Sequence, residues 1–398
     1  MTPLERPRNR NVRQFATTLP IDGFTGWGVY GLNLAVQSLT RGLMPVIALP
    51  PKWSTLHPFD RAILSLAEAT RVEFEGRAGA GKDVAVEGPV LIALGNQFAG
   101  TKFHYQLRGT SNVATIFLED PHLSEADLQK AKTFDKIIVG STWNKRVLEN
   151  YGLENIAVVF QGIDPSLFYP GPKSGLWDKY FVIFSGGKLE YRKGQDIVIA
   201  AVREFQTRHP ETILAFAWHN SNPNTMVEIE TAGWVTGIPA MQSNGLADLL
   251  GWLKQQGVKR FLDVGPHFNW QMGALLRDVD VAVFASRAEG GTNLVAMECM
   301  ASGIPTILSA NTGHLDLISE ETCYPLTRQT PPKLTKFFNS VDGWGETSVE
   351  ELVETLERVY RDRQEARRRG AAAAQAMLKF SWKNRIGQLL REINLGPE

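Results

Sequence analysis

The sequence predicts an α/β protein made of two doubly wound, Rossmann-like domains that face each other across a cleft. The chain has 398 residues, and domains of about 100–200 residues make two of them the natural division. Short apolar runs alternate with amphipathic stretches along the whole chain, which is typical of parallel β-α units. A Pro- and Gly-rich segment at 168–175 separates two halves of similar length.

The elements follow in order along the two halves. In the first half, apolar runs predict strands at 13–17, 44–49, 90–94, 113–118, 136–139 and 156–159, with an amphipathic helix at 29–39. In the second half they predict strands at 180–185, 213–218, 260–264, 281–285 and 306–308, helices near 197–208, 246–256, 271–276 and 294–300, and one charged helix at 349–369. We therefore predict domains at 1–172 and 173–378, and a C-terminal helix within 379–398 that crosses back to the first domain.

Composition excludes several classes of protein. Lys and Arg number 42, as do Asp and Glu, so no global positive field attracts nucleic acid. The two cysteines, Cys299 and Cys323, are too few for a disulfide scaffold and fit a reducing compartment. No apolar run is long enough for a membrane span, and the first residues lack a signal core. We expect a soluble, cytoplasmic protein without a nucleic-acid partner. The arginines at 6, 8, 10 and 13 suit either a solvated arm or a peripheral membrane contact.

Ligands of doubly wound sheets bind at the carboxyl ends of the strands, so the loops that follow strands are the most informative. The segment 185–194, Ser-Gly-Gly-Lys-Leu-Glu-Tyr-Arg-Lys-Gly, lies between a predicted strand and a predicted helix. Gly187 permits close approach of the backbone to an anion, and Lys188 and Lys193 supply positive charge. The segment predicts a phosphate site, and an ordinary strand–turn–helix with exposed lysines is the alternative.

A second loop, 287–298, follows the predicted strand at 281–285. Gly290 and Gly291 precede a helix whose first amides, around Thr292, Asn293 and Leu294, suit phosphate or sugar oxygens. Glu289 and Glu298 bracket the loop, and their carboxylates are suited to accept hydrogen bonds from sugar or ribose hydroxyls. A capping or salt-bridging role for Glu298 is the alternative.

Two other glycine-rich segments carry weaker signals. The loop at 22–30 contains Gly26 and Gly28 at a helix start, which is compatible with a ligand in the cleft. The segment 76–83 matches the spacing of a Walker A loop, but Asp83 stands where Ser or Thr binds the metal. We expect a surface hairpin there.

Together these segments resemble the retaining glycosyltransferases of family 4, which have the GT-B architecture. The resemblance covers nearly the whole chain and rests on four stretches: 137–143, ending in Ser-Thr-Trp, 158–170, which contains Gln-Gly-Ile-Asp and Phe-Tyr-Pro, 187–194, and Ala-Ser-Gly-Ile-Pro at 301–305. It implies that the second domain binds a nucleotide sugar and the first presents the acceptor. It further implies that Lys188 and Lys193 bind the donor diphosphate, Glu289 the donor sugar and Glu298 the ribose.

The chain departs from the family pattern in two places. Eight residues separate Glu289 from Glu298, where the family has seven, so we interpret the loop as a local variant. Many relatives have a histidine after the strand predicted at 113–118, whereas this chain has Glu119, Asp120 and, two positions on, His122. We take Asp120 as the catalytic candidate and leave Glu119 and His122 as alternatives.

These observations lead to one hypothesis and two rivals. The hypothesis is transfer of a hexose from a nucleotide diphosphate sugar, UDP- or GDP-linked, to a hydroxyl of a sugar, a lipid-linked or another acceptor, with retained configuration. Glu289, Lys193, Lys188 and Asp120 are the catalytic candidates. No Asp-x-Asp motif ends a strand, so neither a metal nor another cofactor is expected. The rivals are a GT-B epimerase or phosphorylase-like enzyme, and a non-catalytic sugar-nucleotide-binding protein.

Overall fold

A computed structural model describes residues 13–77, 84–100, 107–220, 222–243 and 245–396. Most of the Walker-like segment and three of the N-terminal arginines, at 6, 8 and 10, lie outside these ranges, so their predictions have no structural counterpart here.

The N-terminal half is built on a parallel sheet of six strands in the order β2-β1-β4-β6-β7-β8. Its strands are short and apolar because both faces of the sheet are covered. Strands β3 and β5 form a separate parallel pair. The strands of this half are β1 Gln14–Thr17, β2 Met44–Ile47, β3 Val84–Ala85, β4 Val90–Leu94, β5 Leu107–Arg108, β6 Asn112–Ile116, β7 Lys136–Val139 and β8 Ile156–Val158. The helices are α1 Gly26–Leu39, α2 Pro58–Arg77, α3 Glu125–Ala131 and α4 Thr142–Asn150.

The C-terminal half repeats the architecture, with a parallel sheet in the order β11-β10-β9-β12-β13-β14. The chain order reverses between β9 and β12, which is the switch point where such sheets bind ligands. The strands are β9 Phe181–Gly186, β10 Thr212–Ala217, β11 Phe261–Asp263, β12 Val281–Phe284, β13 Thr306–Ser309 and β14 Tyr324–Leu326, followed by the hairpin β15 Gln329–Thr330 and β16 Glu346–Thr347. The helices are α5 Gln195–Arg208, α6 Leu249–Gln255, α7 Asn269–Leu276, α8 Leu294–Ala301, α9 Val349–Arg361 and α10 Arg363–Met377.

The prediction of a single charged helix at 349–369 was wrong. Asp362 leaves the helical conformation, with φ −111° and ψ 75°, and its carboxylate accepts a hydrogen bond from the amide of Glu365 at 2.9 Å. This side chain caps α10, so the charged stretch forms two helices rather than one.

The last helix, α11 Trp382–Glu392, lies against the N-terminal half. The ring of Trp382 stacks on that of Tyr30 in α1, with 5.6 Å between centroids. Lys136 in β7 forms an ion pair with Glu392, with 2.8 Å between Nζ and Oε2. The chain therefore returns to its first half after completing the second.

Direct hydrogen bonds also join the two halves. The Ser141 hydroxyl donates to the carbonyl of Gly290 at 2.7 Å. The amide of Asn269 donates to the carbonyl of Gly23 at 2.6 Å. None of the described helices is long and apolar enough to cross a membrane.

Candidate functional site

A cavity of about 780 Å³ lies between the two halves, where the carboxyl ends of both sheets meet. Most of its walls come from loops that follow strands, as the fold class predicts. The N-terminal half contributes Asp22, Gly26, Trp27, Asn96, Phe117 and Glu119, and the C-terminal half contributes Gly187, Lys188, Arg192, Lys193, His219, Glu289, Gly291, Asn293, Leu294 and Glu298, among others.

The turn after β9 brings Gly187 and Lys188 to this cavity. Gly187 has φ +107°, a conformation that a side chain would strain, and its amide donates to the carbonyl of Ala217 at 3.1 Å. Lys188 is half exposed, and its Nζ lies 3.7 Å from Oε2 of Glu190. Its ammonium group is thus only loosely paired and accessible to an anion in the cavity.

Lys193, which is partly buried, forms an ion pair with the buried Glu289 in the cavity wall. The Nζ of Lys193 donates to both carboxylate oxygens of Glu289, at 2.9 and 2.8 Å. The Ser286 hydroxyl and the Asn293 side-chain amide also donate to Glu289, at 2.7 and 3.0 Å. Burial alone would raise the pKa of Glu289, but the charges of Lys193 and Arg192 hold it at about 2. Glu289 is therefore a fixed anion that positions Lys193.

Arg192 is one site residue that sequence reasoning missed. Its guanidinium is buried and lies 2.6 Å from a carboxylate oxygen of Glu119, 3.2 Å from one of Glu190 and 3.1 Å from one of Glu289. It also donates to the carbonyl of Ala288 at 2.7 Å. One cation thus joins three carboxylates from both halves. Its position in the sequence between Lys188 and Lys193 was the signal that could have identified it as a residue of the site.

The first turn of α8 lies in the wall of the same cavity. Asn293 has φ +64°, and its side-chain oxygen accepts from the amide of Ala296 at 3.3 Å. The amides of Leu294 and Val295 belong to the first turn, where a helix offers its own N–H groups no carbonyl partner. Both residues line the cavity. An anion bound there would meet the positive end of α8.

Glu298 and His314 are both buried, and burial shifts the pKa of each in the direction that favours its uncharged form. Burial raises the pKa of Glu298 to about 8, and the side chain of Asn269 donates to its carboxyl group at 2.5 Å. Burial lowers the pKa of His314 to about 4, and its Nε2 faces the side-chain amide of Asn293 at 3.2 Å. Neutral His314 therefore holds the side chain of Asn293 in place. This role depends on a contact between residues that are distant in the sequence, so the sequence alone did not reveal it.

His219 and Asp263 form a further pair that the sequence did not reveal. His219 follows β10, Asp263 is the last residue of the neighbouring strand β11, and Nε2 of His219 lies 2.9 Å from Oδ1 of Asp263. His219 lines the cavity beside Gly265. The carboxylate fixes the orientation of this imidazole in the wall.

Three predicted ligand-binding residues from the glycine-rich loops use their polar groups in contacts within the protein. The amide of Gly28 donates to the Thr25 hydroxyl at 2.9 Å as part of the α1 cap. The carbonyl of Gly290 accepts from Ser141, at the contact between the halves. The hydroxyl of Thr292 donates to the sulfur of Met297 at 2.9 Å. The cavity wall contains Gly26 and Gly291 but none of these three.

Asp120 does not reach the cavity, which corrects its choice as the catalytic candidate. Its carboxylate accepts from the backbone amides of Asn339 and Ser340, at 2.8 and 3.2 Å, and from the Gln97 side chain at 3.0 Å. Asp120 is 1% exposed, and the bonds from Asn339 and Ser340 join the N-terminal half to the loop between β15 and β16. His122 is exposed and outside the cavity wall, so Glu119 is the one of the three alternatives that lines it.

Comparison with known proteins decides the family. The model of the family described as family 4 glycosyltransferase in conflict systems matches residues 172–389, more than half of the chain. The chain belongs to this family. The glycosyltransferase has no match among the curated proteins.

Solved structures share the GT-B fold of this glycosyltransferase. Sucrose-phosphate synthase from Thermosynechococcus elongatus superposes with a TM-score of 0.65 at 18% identity, over 96% of this chain and 99% of that one. HepE from Anabaena, in complex with UDP, gives a TM-score of 0.63 at 14% identity, over 96% and 99%. A glycosyltransferase from Rickettsia africae gives 0.61 at 13%, over 96% and 98%.

Proposed function

We propose that this glycosyltransferase moves a hexose from a nucleoside diphosphate sugar to a hydroxyl of an acceptor and retains the anomeric configuration. The C-terminal half would hold the donor and the N-terminal half the acceptor. HepE has been crystallised with UDP-glucose, which favours UDP as the first nucleotide to test. Retention is proposed from the resemblance to family 4.

The observation that carries the proposal is the cationic and amide-rich wall at the switch point of the second sheet. Lys188 and Lys193 follow β9, and the first turn of α8 follows β12, so both face one cavity. A diphosphate needs charge compensation and close N–H donors, and this wall offers both. Glu289 keeps Lys193 in place through two contacts.

This arrangement suits departure of a nucleoside diphosphate. As the bond between the anomeric carbon and the phosphate oxygen breaks, its electron pair stays on the leaving diphosphate. Lys188, Lys193 and the amides of Leu294 and Val295 would stabilise that growing charge without rearranging, which is electrostatic preorganisation. The acceptor oxygen forms the new bond to the anomeric carbon, and its proton passes to a negatively charged oxygen in the cavity, either of the departing diphosphate or of a carboxylate in the wall.

Glu298 is proposed to bind the ribose of the donor. Its carboxyl group is buried in the cavity wall, with Asn269 as its hydrogen-bonding partner. Ribose hydroxyls would donate to the carboxylate form. Since hydroxyl donors favour that form, nucleotide binding should release a proton from Glu298 near neutral pH.

A nucleotide screen followed by a transfer assay tests the proposal. Thermal shifts with UDP-, GDP-, ADP- and dTDP-sugars identify the donor, and release of the nucleoside diphosphate with glucose, N-acetylglucosamine or glycerol measures transfer. We expect a shift with one nucleotide, turnover of its sugar, and a product whose anomeric proton coupling in NMR matches the donor. Epimerisation of the donor in the absence of an acceptor would instead support a GT-B epimerase. Donor binding without turnover would support a non-catalytic sugar-nucleotide-binding protein.

A further inference from the structure

The N-terminal half sends one carboxylate into the charged cluster of the donor half. Glu119 follows β6 and lines the cavity, and its Oε1 lies 2.6 Å from a guanidinium nitrogen of Arg192. Its side chain is 29% exposed, whereas that of Glu289 is 4% exposed. Glu119 is therefore an acidic group that substrates in the cavity can reach.

The backbone of Glu119 is held from both halves. Its amide donates to the side-chain oxygen of Asn96 at 2.8 Å. Its carbonyl accepts from the indole N–H of Trp344 at 3.1 Å. Trp344 precedes β16 in the C-terminal half. A group that must contact a substrate at a defined position needs a backbone that is held in place, as this one is from both halves.

The charges around Glu119 balance in the free protein. Lys188, Arg192 and Lys193 supply three positive charges, and Glu119, Glu190 and Glu289 supply three negative ones. A bound diphosphate would add negative charge and compete for the same cations. Glu119 would then lose part of its compensation and become a stronger hydrogen-bond acceptor.

We infer that Glu119 binds the attacking hydroxyl of the acceptor and that Arg192 positions its carboxylate for this contact. The inference rests on the proposed function and names the acceptor-side residue of the same cavity. Burial raises the pKa of Glu119, although the positive charge of Arg192 opposes this shift. A raised pKa is in keeping with a carboxylate that accepts a hydrogen bond from a hydroxyl.

The lining of the cavity that Glu119 enters points to a sugar or polyol as the acceptor. The rings of Trp27 and Phe117 lie 4.6 Å apart between centroids and both line the cavity. Asn96 and Gln161 add amide groups to the same wall. Aromatic faces pack on the C–H groups of a sugar ring, while carboxylate and amide groups bind its hydroxyls.

The variant Glu119→Gln tests this inference because it keeps the shape and removes the charge. We expect the acceptor KM to rise at least tenfold and kcat to fall at least tenfold with glucose, N-acetylglucosamine or glycerol. If the enzyme transfers the sugar to water, the fall in kcat is measured as the rate of donor hydrolysis. Binding of the nucleoside diphosphate, measured by calorimetry, should not weaken by more than threefold. Glu119→Asp, which restores the charge on a shorter side chain, should recover part of kcat.

Glu190→Gln is the matched control. It removes another carboxylate from the same guanidinium but lies outside the cavity wall. We expect its acceptor KM to stay within threefold of the wild type. Equal losses in Glu190→Gln and Glu119→Gln would show that Glu119 acts only through the charge of Arg192, and an unchanged acceptor KM in Glu119→Gln would also overturn the inference. A wild-type protein that binds no nucleotide or turns over no donor would refute the proposed function itself.

Discussion

Lys193→Ala separates a catalytic role of Lys193 from a purely structural ion pair. The change removes an ammonium group 2.8 and 2.9 Å from the two oxygens of Glu289. If Lys193 stabilises the leaving diphosphate, kcat should fall about 10²–10³-fold, because one lost donor to a developing charge costs about 3–4 kcal/mol.

The same substitution has a calculable effect on stability. Holding the pKa of Glu289 at about 2 rather than 4.5 corresponds to about 3 kcal/mol of stability. Because this pKa is depressed in the fold, that stability is present above pH 4.5 and lost as the pH falls towards 2. Arg192, Ser286 and Asn293 remain as partners in the variant. We therefore expect a loss of about 1–2 kcal/mol and a Tm lower by roughly 3–8 °C.

Steady-state release of the nucleoside diphosphate measures kcat, and thermal unfolding measures Tm. The exposed Lys179 offers a control in the same domain, since Lys179→Ala removes one positive charge away from the cavity. It should leave both quantities unchanged. Transfer by a folded Lys193→Ala variant within threefold of the wild-type rate would refute the proposed role of Lys193.

Three further substitutions test other parts of the structure. Glu298→Gln should flatten the pH dependence of Tm between pH 5 and 8. The stability that protonated Glu298 contributes is fully present below pH 4.5 and is lost as the pH rises through about 8. An unchanged slope of Tm against pH in the variant would contradict this. Asp120→Ala should cost about 1–3 kcal/mol in urea unfolding, since the amides of Asn339 and Ser340 lose their buried acceptor, while nucleotide affinity stays within threefold. Trp382→Ala should cost about 3–5 kcal/mol through lost packing on Tyr30, whereas the exposed neighbour Lys383→Ala should cost less than 0.5 kcal/mol.

The fold was predictable because its information is local. Apolar runs of four to six residues mark most strands of the two large sheets, and the predicted strands 90–94 and 136–139 coincide with β4 and β7. The break at Asp362 was not predicted, because the residues on both sides favour a helix and only the capping bond ends it.

The site was predictable only in part. Lys188, Glu289 and Glu298 could be placed at the cleft because each belongs to a loop or helix that follows a strand at the switch point. The set of carboxylates that Arg192 joins could not be predicted, since they lie up to 97 residues away along the chain. Glu119 and Asp120 are neighbours, yet the first lines the cavity and the second holds the loop at Asn339. No local pattern reveals that difference.

The most direct test of the central claim is a crystal structure with the nucleoside diphosphate that gives the largest thermal shift. We predict diphosphate oxygens at hydrogen-bonding distance, about 2.7–3.2 Å, from Lys188 or Lys193 and from the amides of Leu294 and Val295. A diphosphate bound away from the start of α8, with the Lys193–Glu289 pair out of its reach, would contradict the account.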